Sequence, residues 1–437
     1  MNLLPTVAVV LIAMAWSGTA AAQGWLADRD SAQGRGIRLG DFELHPGVGS
    51  EVGYTTNVFL GEAGRESAIL RVAPHIFLST LSGERDEGSQ RKVSFRAGLS
   101  GAYKYWIMSD PAQDPDMSAA QDANLKLNLS RVVTLSFNER FQRSIDPFTD
   151  AVSPGSGGGQ PVDPDRDKLT LGTQLGLQTP GGLLKGGLGY TFQLDHFESE
   201  QFRQNRNQAH TVNLSSGYQF LPKTAFFWNG SLRLHRWVDD STPSAGVPER
   251  NDSTQLSTTA GINGGLTPKL GFTLGAGYSA GFFEDDNDFE SVVGQAQLRW
   301  RLQPNVGFML GYNRAYRSAF QGNFARTDQI RARGQILLVG ALVLRLQTSL
   351  TFVDFGTDDD LAATGGSGRR NDTHLLTRLS GEYRFTDWFA VTGEVGYLQN
   401  FTDFVFVIPS SDPDAEPTTD AAKYNRFSAF VGVRAFL

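Results

Sequence analysis

The chain has 437 residues, no cysteine and a formal net charge of −7, and its mean hydropathy is −0.27. The missing cysteines exclude disulfide scaffolds, thiol chemistry and cysteine-held zinc, and the negative charge argues against a nucleic-acid partner. The composition is also too polar for a bundle of membrane helices, while a closed barrel routinely reaches this length as one unit.

Residues 1–22 read as an export signal. Leu3 to Trp16 is almost wholly apolar, and Ala20-Ala21-Ala22 before Gln23 is a small-residue cleavage site. The signal lacks the usual Lys or Arg ahead of the apolar run, which is itself too short to span a bilayer. No cysteine follows for lipid attachment. Residues 23–41 then form a periplasmic segment ahead of the main unit, residues 42–437.

From Phe42 onward the chain repeats a stretch of roughly 10–18 residues in which every second residue is apolar. Leu270, Phe272, Leu274, Ala276, Tyr278, Ala280 and Phe282 alternate with Gly271, Thr273, Gly275, Gly277, Ser279 and Gly281. Val292, Ala296, Leu298, Trp300 and Leu302 alternate with Ser291, Gln295, Gln297, Arg299 and Arg301. Period two marks strands, because a helix would scatter these residues around its axis. The longest later apolar run, Ile336 to Leu344, is nine residues, against the ~20 that a spanning helix needs.

The connections alternate between two lengths. Leu129-Ser130-Arg131, Pro180-Gly181-Gly182, Leu221-Pro222-Lys223, Thr267-Pro268-Lys269, Gln303-Pro304-Asn305 and Val339-Gly340-Ala341 are tight turns, where Pro and Gly belong. Met108 to Ala120, Ser144 to Asp167, Asp239 to Asn251, Gly356 to Arg370 and Thr402 to Ala422 read as long loops, and Ser82 to Ser89 as one longer turn among the short ones. The fold predicted is all-β: a closed antiparallel transmembrane barrel of about eighteen strands in the bacterial outer membrane, with short periplasmic turns and long extracellular loops. A barrel of that size holds an aqueous pore. The last strand, Phe427 to Leu437, carries Phe436 in the penultimate position, where insertion signals usually end on Phe.

On the apolar face the charged residues Glu139, Arg236, Arg314 and Asp354 all fall toward the loop ends, within reach of headgroups. Tyr54, Tyr105, Phe141, Phe282, Tyr316 and Phe401 near the loops, with Phe220, Phe226, Trp300 and Phe389 near the turns, make two aromatic girdles. The bilayer and its lipopolysaccharide are therefore the expected surroundings.

Alternation aims the other face into the lumen, and that face is basic. Arg96, Arg233, Arg299, Arg301, Arg317, Arg331, Arg333, Arg345 and Arg434 are the candidate lining of an anion path. Lumenal acids are fewer: Glu43, Glu51, Asp195, Asp372, Glu382 and Glu394. A cationic wall concentrates anions and repels cations, and Arg offers a planar fork to carboxylate or phosphate. Within this set Arg299, Arg301, Arg331, Arg333 and Arg345 should form one strip.

Chemistry beyond conduction is not legible. The six histidines are scattered without metal-ligand spacing, no residue stands out as a nucleophile, and no cofactor motif is present. The acidic loop runs (Asp239-Asp240, Glu284-Asp285-Asp286, Asp358-Asp359-Asp360) lack calcium-loop spacing and read as solvated charge. The expectation is a conduit and not an enzyme.

The opening strand carries a family resemblance. Gly36-Ile37-Arg38-Leu39-Gly40-Asp41-Phe42-Glu43-Leu44-His45-Pro46, followed by Gly53-Tyr54-Thr55-Thr56-Asn57-Val58-Phe59, resembles a family of outer-membrane β-barrel porins that often accompany exopolysaccharide export clusters in Gram-negative bacteria. Thr55 stands where that family has Asp. The resemblance implies secretion of a polymer made by a flippase/polymerase pathway, an acidic polysaccharide given the basic lumen, in concert with a periplasmic polysaccharide-export protein. The alternative reading, which the basic lumen also fits, is a substrate-selective or general porin taking up small anionic solutes.

Overall fold

The computed structural model describes residues 34, 36–58, 60–61, 64–80, 92–107, 116–144, 166–198, 203, 205–238, 252–284, 288–319, 324–356, 370–408 and 418–437. The export signal, the turn at 82–89, the loop at 239–251 and the acidic run at 358–360 lie outside them.

In chain order the strands are β1 (Ile37–Leu39), β2 (Phe42–Thr55), β3 (Ser67–Thr80), β4 (Val93–Trp106), β5 (Asp116–Asn128), β6 (Val133–Ser144), β7 (Arg166–Gln178), β8 (Leu184–Phe197), β9 (Asn207–Leu221) and β10 (Thr224–Trp237). There follow β11 (Ser253–Thr267), β12 (Leu270–Phe283), β13 (Phe289–Gln303), β14 (Val306–Ser318), β15 (Phe324–Leu338), β16 (Leu342–Phe355), β17 (Asn371–Arg384), β18 (Phe389–Phe401), β19 (Val405–Ile408), β20 (Thr418–Ala421) and β21 (Tyr424–Phe436). Each strand from β2 to β17 pairs antiparallel with the next, β18 pairs with β21, and β21 returns to β2. The sheet has 19 strands; with β1 outside the ring, eighteen close the barrel, as the alternation predicts. Closure satisfies every strand edge internally, which hydrocarbon demands.

The seam runs from Gly47↔Phe436 to Thr55↔Ser428. Two residues of the opening motif extend it. Thr56 and Phe427 exchange backbone and hydroxyl hydrogen bonds, and the buried Asn57 amide donates to the Gly61 carbonyl at 2.7 Å and the Asn425 carbonyl at 3.0 Å. The resemblance-bearing residues thus fasten the first loop to the last strand. At the other end of the seam, the Leu437 N–H donates to the Pro46 carbonyl at 3.0 Å. Below that point β1 takes over the freed edge of β2, pairing Ile37↔Leu44. Residues 37–39, expected in the segment ahead of the barrel, are therefore part of its sheet.

The six tight turns all fall between paired strands at the end where the ring begins. In the Val339-Gly340 turn both residues hold positive φ, 51° and 69°. Two loop boundaries are corrected. Asp116 to Ala120 belong to β5, aligned from Lys104↔Asp116 onward, and Arg166 and Asp167 open β7. Small side chains on both faces at Ser118, Ala119 and Ala120 erase the alternation, so the strand is revealed by its pairing with β4 and, from Ala119 on, with β6. The segment from Thr402 to Ala422, expected as plain loop, contains the small β19–β20 sheet.

Apolar side chains on one face stay exposed along every strand, as at Leu99 (52%), Leu274 (53%) and Leu310 (54%). This surface faces lipid, and among the described residues no continuous apolar core fills the barrel. Burial concentrates instead at the lumenal ends of the barrel. The apolar cluster Ala319, Ala325, Val353 and Phe355 sits at the long-loop mouth, and Val343, Ala390 and Phe436 are buried near the turns.

Candidate channel lumen

Register settles which lumenal cations are neutralised. On the wall around the seam, Arg71 pairs with Glu51 and lies over the Phe430 ring at 5.1 Å. The ring occupies the space a side chain at residue 53 would take, so Gly53 is the residue that fits. Arg378 reaches Glu394 at 3.4 Å. Glu382, buried, accepts from Arg384 Nε at 2.7 Å and from Arg434 Nη1 at 3.1 Å. Near the mouth, Asp195 accepts from Arg166 Nε at 2.6 Å. The ion pair of Arg370 with Asp372 is buried, with the guanidinium between the rings of Phe355 (4.5 Å) and Phe404 (5.2 Å). Burial of this kind requires a partner, since an unpaired charge there costs several kcal/mol.

A different wall holds the cations that keep their charge. Arg299 and Arg301 on β13, Arg331 and Arg333 on β15 and Arg345 on β16 all point inward, in adjoining register rows. One row reads Arg299↔Met309↔Arg333↔Gln347, the next Arg301↔Gly307↔Gln335↔Arg345. None of the five makes an ion pair among the described residues. Neutral amides orient two of them without removing charge: Arg299 Nη2 donates to Gln297 Oε1 at 3.0 Å, and the Gln347 amide oxygen accepts from Arg333 Nη2 at 2.6 Å and Nε at 2.8 Å. Arg331 leans across β14, within 3.3 Å of where a side chain at Gly311 would begin. The small residues Gly307 and Gly311 leave the strip open between β13 and β15.

The nine residues chosen from sequence thus separate. Five make the strip on β13–β16. Arg96 lies over Phe77 at 5.7 Å near the turns, Arg233 donates to Gln193 at 2.7 Å high in the lumen, and Arg317 lines a cavity there. Arg434 is committed to Glu382. Sequence reasoning missed Arg166, hidden in a presumed loop, and Asp122, which parity with Lys126 would have placed inward.

The outer face also needs correction. Tyr316, expected in the lipid-facing girdle, stacks on the inward ring of Phe289 at 4.5 Å, beside Phe324 and Phe283, and lines the cavity. The β13–β14 ladder ends at Gly294↔Arg314, so on that side nothing holds Tyr316 to the outward alternation. Of the four outward charges expected near the loops, three lie there and are paired: Arg314 with Asp328 at 2.6 Å, Asp354 with Arg326 at 2.7 Å and Arg236 with Asp252 at 2.9 Å. Glu139 instead stands at mid-strand, in the row Ala123↔Glu139↔Leu171, and accepts from the Gln121 amide at 3.3 Å. Asp328 and Arg326 were not anticipated.

Among the described residues no group of three or more His, Asp or Glu is placed to hold a metal ion, and no helix is long and apolar enough to cross a membrane. The geometry is that of a charge-lined lumen enclosed by a strand-built wall.

Solved barrels with similar architecture include Pseudomonas aeruginosa OprD (13% identity, 94% of this chain and 98% of that one, TM-score 0.43). Acinetobacter baumannii OccAB4 (12%, 93% and 100%, 0.44) and Pseudomonas aeruginosa OccK5 (12%, 90% and 98%, 0.43) are comparable. No curated protein matches the chain. The family model described as "Putative beta-barrel porin 2" matches residues 30–400, so the chain belongs to that family and is a porin-like β-barrel channel of the bacterial outer membrane.

Proposed function

We propose that the barrel is a substrate-selective porin that admits small anionic solutes. One observation carries the reading: five lumenal arginines on neighbouring strands have no acidic partner among the described residues, while the lumenal acids Glu51, Asp195, Glu382 and Glu394 are each taken up by another arginine. The residual field along β13–β16 is positive. In a passage walled by low-dielectric protein, such a field raises the local concentration of anions. Several modest sites in a row favour transit over retention, since an ion must leave as readily as it enters. Screening over ~8 Å at physiological ionic strength keeps each site weak.

The test is the reversal potential of single barrels in planar bilayers under a salt gradient. The wild-type pore should prefer anions, and the variant carrying Arg299→Gln, Arg301→Gln, Arg331→Gln and Arg333→Gln should lose much of that preference while folding normally. Equal conduction of cations by the wild type would overturn the reading. In cells, gene deletion should slow growth on acidic carbon sources. Loss of a surface polysaccharide with unchanged growth would instead favour export, the cargo that the opening-strand resemblance implies.

A further inference from the structure

Apart from the strip, the loop-side half of the lumen contains a cavity of about 590 Å³ on the β7–β14 wall, within the range of small-ligand sites. Its lining is of two kinds. One is cationic: Lys168 from β7, Arg233 from β10 and Arg317 from β14, beside Arg166 and Arg314, which are held by Asp195 and Asp328. Asp195, the acid beside them, is already paired with Arg166. Arg233 is anchored through a single hydrogen bond from Nη1 to Gln193, and its remaining N–H groups meet no acceptor among the described residues.

The other kind is a field of hydroxyls and amides. Register aligns Asn213↔Ser231↔Ser257↔Ser279↔Ser291 in one row across five adjacent strands, β9 to β13, and its middle three residues, Ser231, Ser257 and Ser279, line the cavity. One row closer to the mouth runs Thr191↔Thr211↔Arg233↔Gln255. Neighbouring strands stand ~4.8 Å apart, so these three serines offer small groups that donate and accept at short, even intervals over roughly 10 Å. A wall needed only to stay wet has no requirement for this chemistry to sit directly beneath an anchored guanidinium.

We propose that this cavity binds a carboxylate bearing several hydroxyls, of the aldonic- or uronic-acid class, with the carboxylate on Arg233 and Lys168 and the hydroxyls along the serine row. Arg233 presents a fork to the carboxylate, and ligand alcohols meet partners that match their dual donor–acceptor character. A plain carboxylate would use only the cationic end, and a neutral sugar only the hydroxyl row. The proposal rests on the anion-conducting reading and names its solute class.

The experiment is isothermal titration calorimetry of the full barrel, folded in detergent, with D-galacturonate, acetate and D-glucose as separate probes. Galacturonate should bind at least tenfold more tightly than either of the others. Joint Lys168→Gln and Arg233→Gln substitution should abolish the difference between galacturonate and glucose, and joint Ser231→Ala, Ser257→Ala and Ser279→Ala substitution the difference between galacturonate and acetate. Heat-modifiable mobility on gels reports that each variant is folded. Equal binding of acetate and galacturonate by the wild type, or of glucose and galacturonate, would overturn the proposal. An anion-selective pore without this discrimination would sink the binding site alone; a pore without anion preference would sink the broader reading.

Discussion

Arg434 on the closing strand donates to Glu382 on β17 at 3.1 Å, reaching past β18, which lies between them. The same carboxylate accepts from Arg384, whose guanidinium packs 4.7 Å from the centre of the Phe436 ring. The last strand is therefore fastened from inside the lumen as well as by its ladder.

Glu382→Ala should weaken the barrel sharply. Arg384 is almost fully buried (side chain 3% exposed), and removing the carboxylate takes a charge-assisted hydrogen bond from it and another from Arg434, a loss of about 2 kcal/mol. The check is the temperature at which the folded band gives way to the unfolded one on gels, with Glu382→Gln falling between Ala and wild type. An unchanged transition in Glu382→Ala would mean that the contact contributes nothing to closure.

The β15–β16 turn carries strain that one substitution can relieve. Val339 holds φ at 51°, with Gly340 at 69°, the signs of a type I′ hairpin turn. A β-branched residue is poorly suited to that region, while Asn adopts it readily. Val339 is exposed (63%) and no packing is lost by changing it. Val339→Asn should raise the urea midpoint of unfolding, by an amount corresponding to about 1 kcal/mol. A lower midpoint would show that the turn tolerates Val without cost.

Much of this was legible in the sequence because period-two alternation is a local signal. It gave the strand count, the tight turns and the inward direction of the five strip arginines. What it could not give depends on which residue lies opposite which. Arg434 looked like its neighbours in the anion path until register set Glu382 within reach. Tyr316 was aimed at lipid by parity, but the β13–β14 ladder stops before it and its ring turns to Phe289. The start of β5 was read as loop because Ala119 and Ala120 present the same small side chain to both faces, leaving cross-strand hydrogen bonds as the only mark of the strand.

The strip can be tested without deleting an arginine. Gln347 accepts two N–H groups from Arg333 and stands opposite Arg378 across the β16–β17 ladder. Gln347→Glu keeps the shape and the acceptor geometry and converts the amide into a carboxylate, so Arg333 becomes ion-paired in place. If unpaired charge creates the selectivity, this variant should move the reversal potential toward zero, by less than the quadruple Arg→Gln variant does. Arg378 supplies the contrast, since it faces the same lumen but is already held by Glu394 at 3.4 Å. Arg378→Gln should therefore change selectivity less than Gln347→Glu, although it removes a guanidinium and the other does not. The opposite ranking would show that the number of arginines, and not their freedom from acidic partners, governs the passage of ions.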